Sequence, residues 1–316
     1  MLPGTEPALR LSASDLCATP ASGAKTPGSS EIAMTTAAPT MSPAAERYAE
    51  ECLRLSADAE NRMRVLRDIT YGSDPRQRMD IFLPQQPGLH DLPVLLFMHG
   101  GAWTHGTKNW CGFMAPPIVE LPAIFISVGY RLIPTVSFPA PVMDCITALR
   151  WIIDHIAEHG GSPDRLFVGG HSAGGQIAAL TTLRKDWLAE GGLPVDTIKG
   201  CFCLATTFNR RMIRPDIAPN DVQPGSPTDV APDSPLALAA GASVPFFIAW
   251  GSRDDERMER TGRLMIDALT ATGCRVQSLV LPECDHFSIH LNTRHADDPW
   301  VGQVRTLMAV MPSDAV

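Results

Sequence analysis

Short runs of apolar residues recur along the chain at 93–98, 123–128, 166–169, 198–204, 245–250 and 276–281. Each is rich in β-branched or aromatic side chains and nearly free of charge. A strand with one wet face alternates apolar and polar residues. A run that is apolar throughout needs cover on both faces, as strands in a parallel sheet have. Between the runs lie helical patterns. In 140–158, Val142, Cys145, Ile146, Leu149, Ile152, Ile153 and Ile156 return near a 3.6-residue period, and Met258, Met265, Ala268 and Leu269 do so in 257–271. Strands alternating with helices imply an α/β protein with a doubly wound sheet and right-handed crossovers.

Ahead of this rhythm, 43–61 reads as a helix of modest amphipathicity. Strands follow at 64–71 and 78–83, divided by the turn formers Gly72-Ser73-Asp74-Pro75. The alternation of Met79, Ile81 and Leu83 gives the second strand one buried face. Residues 1–43 are rich in Ala, Pro, Ser, Thr and Gly without apolar periodicity, and read as a disordered tail or an overextended start, with Met34 and Met41 as alternative initiators. A secretory signal would need a basic start and an unbroken apolar core, whereas Pro3, Gly4, Glu6, Pro7, Arg10 and Asp15 interrupt this one. One domain over 44–316 accommodates the rest. Within it, 206–243 breaks the pattern with Pro215, Pro219, Pro224, Pro227, Pro232 and Pro235. It reads either as a substrate lid or as a surface excursion with one short helix near 235–240.

Composition narrows the function classes. A net charge of −8 without a basic stripe argues against nucleic-acid binding. No apolar run reaches the roughly 18 to 20 residues of a membrane span. The 8 cysteines contain no C-x-x-C pair and no His cluster at zinc spacing, so reduced, mostly buried thiols in a cytoplasmic protein are expected.

The chemistry concentrates in three places. Val168-Gly169-Gly170-His171-Ser172-Ala173-Gly174-Gly175 contains G-x-S-x-G between an apolar run and the helical stretch 176–184. A nucleophile elbow requires that strand-turn-helix context, with small residues two before and two after the serine. Ser172 would then project over a helix N-terminus that favours developing negative charge. Upstream, Phe97-Met98-His99-Gly100-Gly101-Ala102-Trp103 ends another apolar run. The backbone N–H groups of Gly100 and Gly101, with that of Ala173, are candidate oxyanion donors, each worth about 2.7–4 kcal/mol.

An acid and a base should follow the serine in that order. Asp254 lies three residues past Gly251, just beyond an apolar run, with Asp255 as the alternative acid. His286, in Cys284-Asp285-His286-Phe287, is the candidate base, able when neutral to take the serine proton near pH 7. His99 and His171 sit in glycine turns as backbone-orienting groups, and His290 and His295 fall in or beside the C-terminal helix as packing or surface residues. Trp103, Trp110, Phe113, Tyr130, Phe208 and Phe287 lie near these loops and are candidates for a small aromatic or acyl pocket, against a plain packing role for each.

His99-Gly100-Gly101-Ala102-Trp103, Gly170-His171-Ser172-Ala173-Gly174-Gly175 and Asp285-His286-Phe287 together resemble the α/β-hydrolase fold family. More narrowly, they resemble its arylformamidase-like (kynurenine formamidase-like) and carboxylesterase branch. Tyr130-Arg131-Leu132, Phe138-Pro139-Ala140 and Asp144 are similar to these enzymes too, so the resemblance spans about residues 62–312. It implies a mainly parallel sheet of about eight strands flanked by helices, no cofactor or metal, and a small-molecule ester or amide as substrate. Hormone-sensitive-lipase-like esterases share His-Gly-Gly but usually carry Asp before Ser-Ala-Gly, where this chain has His171. A binding receptor that keeps the fold without catalysis is the alternative from another class.

Overall fold

The structure is a computed structural model and describes residues 40–210 and 230–310. The expected tail therefore lies outside the described residues for 1–39, as does the proline-rich segment for 211–229.

Helix α1 (Pro43–Glu60) starts where Ser42 accepts a hydrogen bond from the Ala45 N–H and Pro43 takes the first helical position. Strands β1 (Arg64–Thr70), β2 (Arg78–Leu83) and β3 (Leu92–Met98) follow. Then come α2 (Ala115–Val119), β4 (Ile124–Val128), α3 (Ala140–His155), β5 (Gly161–His171), α4 (Ala173–Leu183) and α5 (Lys185–Glu190). The chain continues through β6 (Ile198–Leu204), α6 (Pro235–Leu238), β7 (Phe246–Gly251), α7 (Glu256–Ala271), β8 (Val276–Leu281), α8 (Ser288–Leu291) and α9 (Pro299–Val310).

The strands form one sheet in the order β1-β2-β4-β3-β5-β6-β7-β8. Strand β2 runs antiparallel to both neighbours, and every pairing from β4 to β8 is parallel. This is the mostly parallel, eight-stranded sheet of the expectation. Strand β5 begins five residues before the apolar run that announced it, because Gly161-Ser162-Pro163-Asp164-Arg165 enters the sheet with little apolar character. Helix α4 begins at Ala173, directly behind the serine, with two glycines in its first turn that mask its start from periodicity.

Both faces of the inner strands are covered, while the edge strands β1 and β8 are partly exposed. Along β3, Leu92, Val94, Leu96 and Met98 join the core beneath α3, α4 and α7, while Leu95 and Phe97 join the core that holds α1, α2 and α9. Every β3 residue is buried, and each such side chain contributes roughly 1.5–3 kcal/mol. With both faces sealed, the open places are the ends of the strands. At the C-terminal end of the sheet the chain leaves β3 into His99-Gly100-Gly101, β5 into Ser172, β7 towards Asp254 and β8 towards His286. Ligands in open α/β sheets bind at that end.

The turn from β5 to α4 leaves no room for a side chain. A Cβ at Gly170 would stand 2.2 Å from the Gly174 carbonyl carbon, and one at Gly174 would stand 2.1 Å from the Met98 carbonyl oxygen. Neither obstacle is a flexible side chain, so an added methyl forces the backbones apart. Gly174→Ala is expected to lower unfolding free energy by at least about 3 kcal/mol in urea titrations; an unchanged midpoint would contradict this packing.

Candidate active site

Ser172 adopts φ 54° and ψ −118° between β5 and α4. A residue with a side chain avoids this region at a cost of roughly 1–3 kcal/mol. It is held there because its N–H donates to the Leu204 carbonyl of β6 at 2.9 Å. The strained turn aims Oγ away from the sheet, 2.9 Å from Nε2 of His286. On the other side of that ring, Nδ1 lies 3.0 Å from Oδ1 of Asp254. A carboxylate accepts only, so Nδ1 carries the proton and Nε2 is free to accept from the serine hydroxyl.

The two acidic candidates part company here. The Asp254 side chain is 1% exposed and faces His286. Asp255 is 44% exposed, caps α7 by accepting from the Arg257 N–H, and pairs with the Arg257 guanidinium, which holds its carboxyl below the usual range. Asp254 reaches His286 because its own N–H bonds back to Gly251 at 3.1 Å, turning the chain sharply at the end of β7.

After β3 the backbone coils through Gly101 (φ 123°), Ala102 (φ 53°) and Trp103 (φ 67°). The Gly101 carbonyl accepts from the N–H groups of Thr104 and His105 at 3.1 and 2.9 Å, which turns the loop back on itself. Gly101 and Ala102 line a cavity over Ser172, while Gly100 is buried between His171 and Ser172. His99 is sealed beneath them: its Nδ1–H donates to the Gly100 carbonyl at 2.7 Å, and its own carbonyl accepts from the Tyr130 hydroxyl at 2.6 Å. The two rings stack at 4.2 Å.

The cavity measures about 210 Å³. Its walls are Gly101, Ala102, His105 and Trp110 after β3, His171 and Ser172 at the elbow, His286 and Phe287 after β8, and Met41, Ser42, Ala45 and Tyr48 from α1 and the residues before it. Of the aromatic pocket candidates, Phe287 and Trp110 are on the wall. Trp103 and Tyr130 are not, which corrects the sequence reading. The Trp103 indole N–H is drawn inward to Gln176 Oε1 at 3.1 Å, and Tyr130 stands behind the His99 loop with no exposure. Phe113 and Phe208 are likewise packed in the interior. The helix α1 contribution was missed, because a buried stripe of Tyr48, Ala49, Cys52, Ser56 and Ala59 marks a packed face without saying what it packs on. The described part of 206–243 adds no wall residue: Thr206–Asn209 is buried, and the short expected helix is α6.

Beneath Ser172 lies a set of buried imidazoles. His171 and His290 stack at 4.7 Å, 6° from parallel. The Tyr48 hydroxyl lies 2.8 Å from His290 Nδ1 and 3.3 Å from His171 Nδ1. His290 is thus on α8, ahead of the C-terminal helix, and fully buried, which agrees with the packing alternative and not with the surface one. Burial pushes His99 down to about 4 and His290 down to about 3, and His171 well below the ordinary imidazole value. All three are neutral near pH 7. An unfolded imidazole takes up its proton near about 6.5. Between that value and the lower folded ones, the unfolded chain binds more protons than the folded one. Stability present near pH 7 is therefore lost as pH falls below about 6.5, by up to about 1.4 kcal/mol per pH unit for each histidine. Urea midpoints at about pH 7 and about pH 5 check this, and His290→Phe should flatten the dependence; an equal slope in that variant would contradict the assignment.

Among the described residues, no group of three His, Cys, Asp or Glu is placed to hold a metal ion, and no helix is long and apolar enough to cross a membrane. The described cysteines are free thiols, all buried except Cys274, which is partly exposed; Cys17 lies outside the described residues. Residues 95–213 match a family described as alpha/beta hydrolase fold. The chain is 26% identical to kynurenine formamidase of Danio rerio over 229 residues, covering 71% of this chain and 75% of that protein. It is 28% identical to isoprenylcysteine alpha-carbonyl methylesterase of Arabidopsis thaliana over 247 residues, covering 72% and 57%. The alignments to the curated relatives it matches span between 25% and 76% of those relatives' own length. A solved esterase of Pyrobaculum calidifontis superposes with a TM-score of 0.66 over 83% of this chain and 91% of that one, at 21% identity. The chain has the α/β-hydrolase fold.

Proposed function

We propose that the chain is a serine hydrolase that cleaves a small ester or aryl formamide through an acyl-enzyme on Ser172. The observation that carries this reading is the continuous hydrogen-bonded series from Ser172 Oγ to His286 Nε2 at 2.9 Å and from His286 Nδ1 to Asp254 Oδ1 at 3.0 Å. In the first step Oγ attacks the substrate carbonyl as its proton passes to Nε2. The resulting imidazolium is stabilised by the buried Asp254 carboxylate. The N–H groups of Gly100, Gly101 and Ala173 would stabilise the acyl oxygen as it gains charge, and Gly101 and Ala102 stand on the cavity wall over Ser172. His286 then protonates the leaving group, and water, activated by the same nitrogen, releases the acid.

The cavity volume bears on the substrate. About 210 Å³ suits a formyl or short acyl group and is below the usual range of drug-sized pockets. Tyr48, Trp110 and Phe287 offer aromatic surface for an aryl leaving group. The kinship to a kynurenine formamidase supports the formamide, and the kinship to esterases supports a short ester.

Ser172→Ala should abolish turnover and labelling by a fluorophosphonate while the protein stays folded; wild-type-like activity would end the assignment. Asp254→Asn should lower kcat by on the order of 10⁴-fold, and Asp255→Asn by less than about 10-fold, the reverse ranking being the contrary result. A panel of p-nitrophenyl acetate, butyrate and octanoate beside N-formylkynurenine separates the substrates by kcat/KM. Short acyl or formyl groups should win by at least about 10-fold over octanoate. A wild-type protein that neither turns over the panel nor takes the label would fit a non-catalytic receptor.

A further inference from the structure

We infer that His171 is a positioning residue for His286, acting through one ring hydrogen bond from its Nε2–H to the His286 carbonyl. The inference rests on the reading of Ser172 and His286 as nucleophile and base, and adds a residue that the triad does not contain.

His171 immediately precedes Ser172 and is 1% exposed. Its Nε2 lies 2.8 Å from the backbone carbonyl oxygen of His286. A carbonyl only accepts, so Nε2 carries the proton, and the neutral ring leaves Nδ1 bare. The proton of His290 is placed in the same way. His290 Nε2 lies 3.2 Å from the Met114 sulfur, an acceptor, so His290 carries its proton on Nε2 and accepts on Nδ1. The Tyr48 hydroxyl has one proton and gives it to that nearer nitrogen at 2.8 Å. What faces His171 Nδ1 at 3.3 Å is then an oxygen whose proton is already engaged, so the proton of the ring is held on Nε2 by the shorter 2.8 Å bond to the His286 carbonyl. Stacking on His290 fixes the plane of the ring.

The peptide held in this way needs holding. His286 lies on the loop between β8 and α8. Asp285 braces the following turn by accepting from the N–H groups of Phe287 and Ser288. On the far side of His286, Tyr48 stacks on Phe287 at 4.7 Å. His171 supplies the remaining hold, on the carbonyl of His286 itself. Since Ser172 is the next residue after His171, one short stretch of β5 presents the nucleophile and sets the distance of its base. A misplacement of about 1 Å at such a pair costs on the order of 100-fold in rate.

The geometry of amide side chains gives a sharp test. A glutamine amide nitrogen occupies the place of histidine Nε2, and an asparagine amide nitrogen that of Nδ1. His171→Gln can therefore still donate to the His286 carbonyl, and His171→Asn cannot. Measured per fluorophosphonate-titrated site on p-nitrophenyl acetate, His171→Asn should lose at least about 10-fold in kcat with KM within about twofold. His171→Gln should stay within about threefold of wild type. Equal losses in the two variants, or none in either, would overturn the inference, because packing alone does not distinguish them in this way. A second readout needs no variant: two-bond ¹H–¹⁵N correlation on the wild-type protein near pH 7 should show His171 neutral with its proton on Nε2, and an Nδ1–H form would overturn it. Failure of the underlying reading has a separate signature, namely wild-type protein that takes no label at Ser172.

Discussion

At Gly174 the first turn of α4 passes so close to the end of β3 that a Cβ there would stand 2.1 Å from the Met98 carbonyl oxygen and 2.5 Å from that of His99. Much of the site follows from this approach of two backbones. It brings the helix N-terminus carrying Ser172 and Ala173 alongside the His99-Gly100-Gly101 loop. It also fixes Ser172 from behind. With α4 against β3, and the Ser172 N–H bound to β6, the serine cannot relax from its positive φ without dislodging a helix whose every residue is buried. The strain of the turn, roughly 1–3 kcal/mol, is small beside the apolar burial that holds α4 in place.

Behind the loop, a buried polar network does the same service for the other wall. Asp144 on α3 accepts from the Arg131 backbone N–H, from the Arg131 guanidinium and from Gln77. A carboxylate with that many donors anchors residues 129–131, and this places Tyr130 where its hydroxyl meets the His99 carbonyl. An ion pair buried on one side contributes little net stability after desolvation, but removing one partner strands the other. Its value here is geometric: it carries the position of α3 across to the glycine loop.

The features legible in the sequence were those that local chemistry dictates. Runs that are almost wholly apolar announced the inner strands, because both of their faces are covered. The paired glycines around Ser172 announced the elbow, because only hydrogen fits against Gly174 and Met98. Asp254 followed from its distance beyond Gly251, and the hydrogen bond to His286 agrees with that spacing. What stayed hidden was direction. Trp103 and Tyr130 flank the site in sequence, yet a buried amide and a backbone carbonyl draw both inward, and neither partner can be read from periodicity. For His290 the sequence left packing and surface roles open beside the terminal helix, and what it did not reveal is that α8 stacks the ring on His171.

The same distinction separates reaction from substrate. The elements that carry Ser172, Asp254 and His286 are strand ends, and the strand order that assembles them is common to the fold. The cavity above them is closed by Met41, Ser42, Ala45 and Tyr48, which precede the region of family likeness at 95–213 by more than forty residues. Chemistry proposed from the strand ends therefore does not carry a substrate with it. Tyr48 touches both halves: it walls the cavity through its ring, stacked on Phe287, and reaches the imidazoles beside Ser172 through its hydroxyl. A substitution there would change the cavity wall and the contacts to His171 and His290 at once. The two effects are coupled at one side chain of α1, and they can be separated only by changing the ring and the hydroxyl independently.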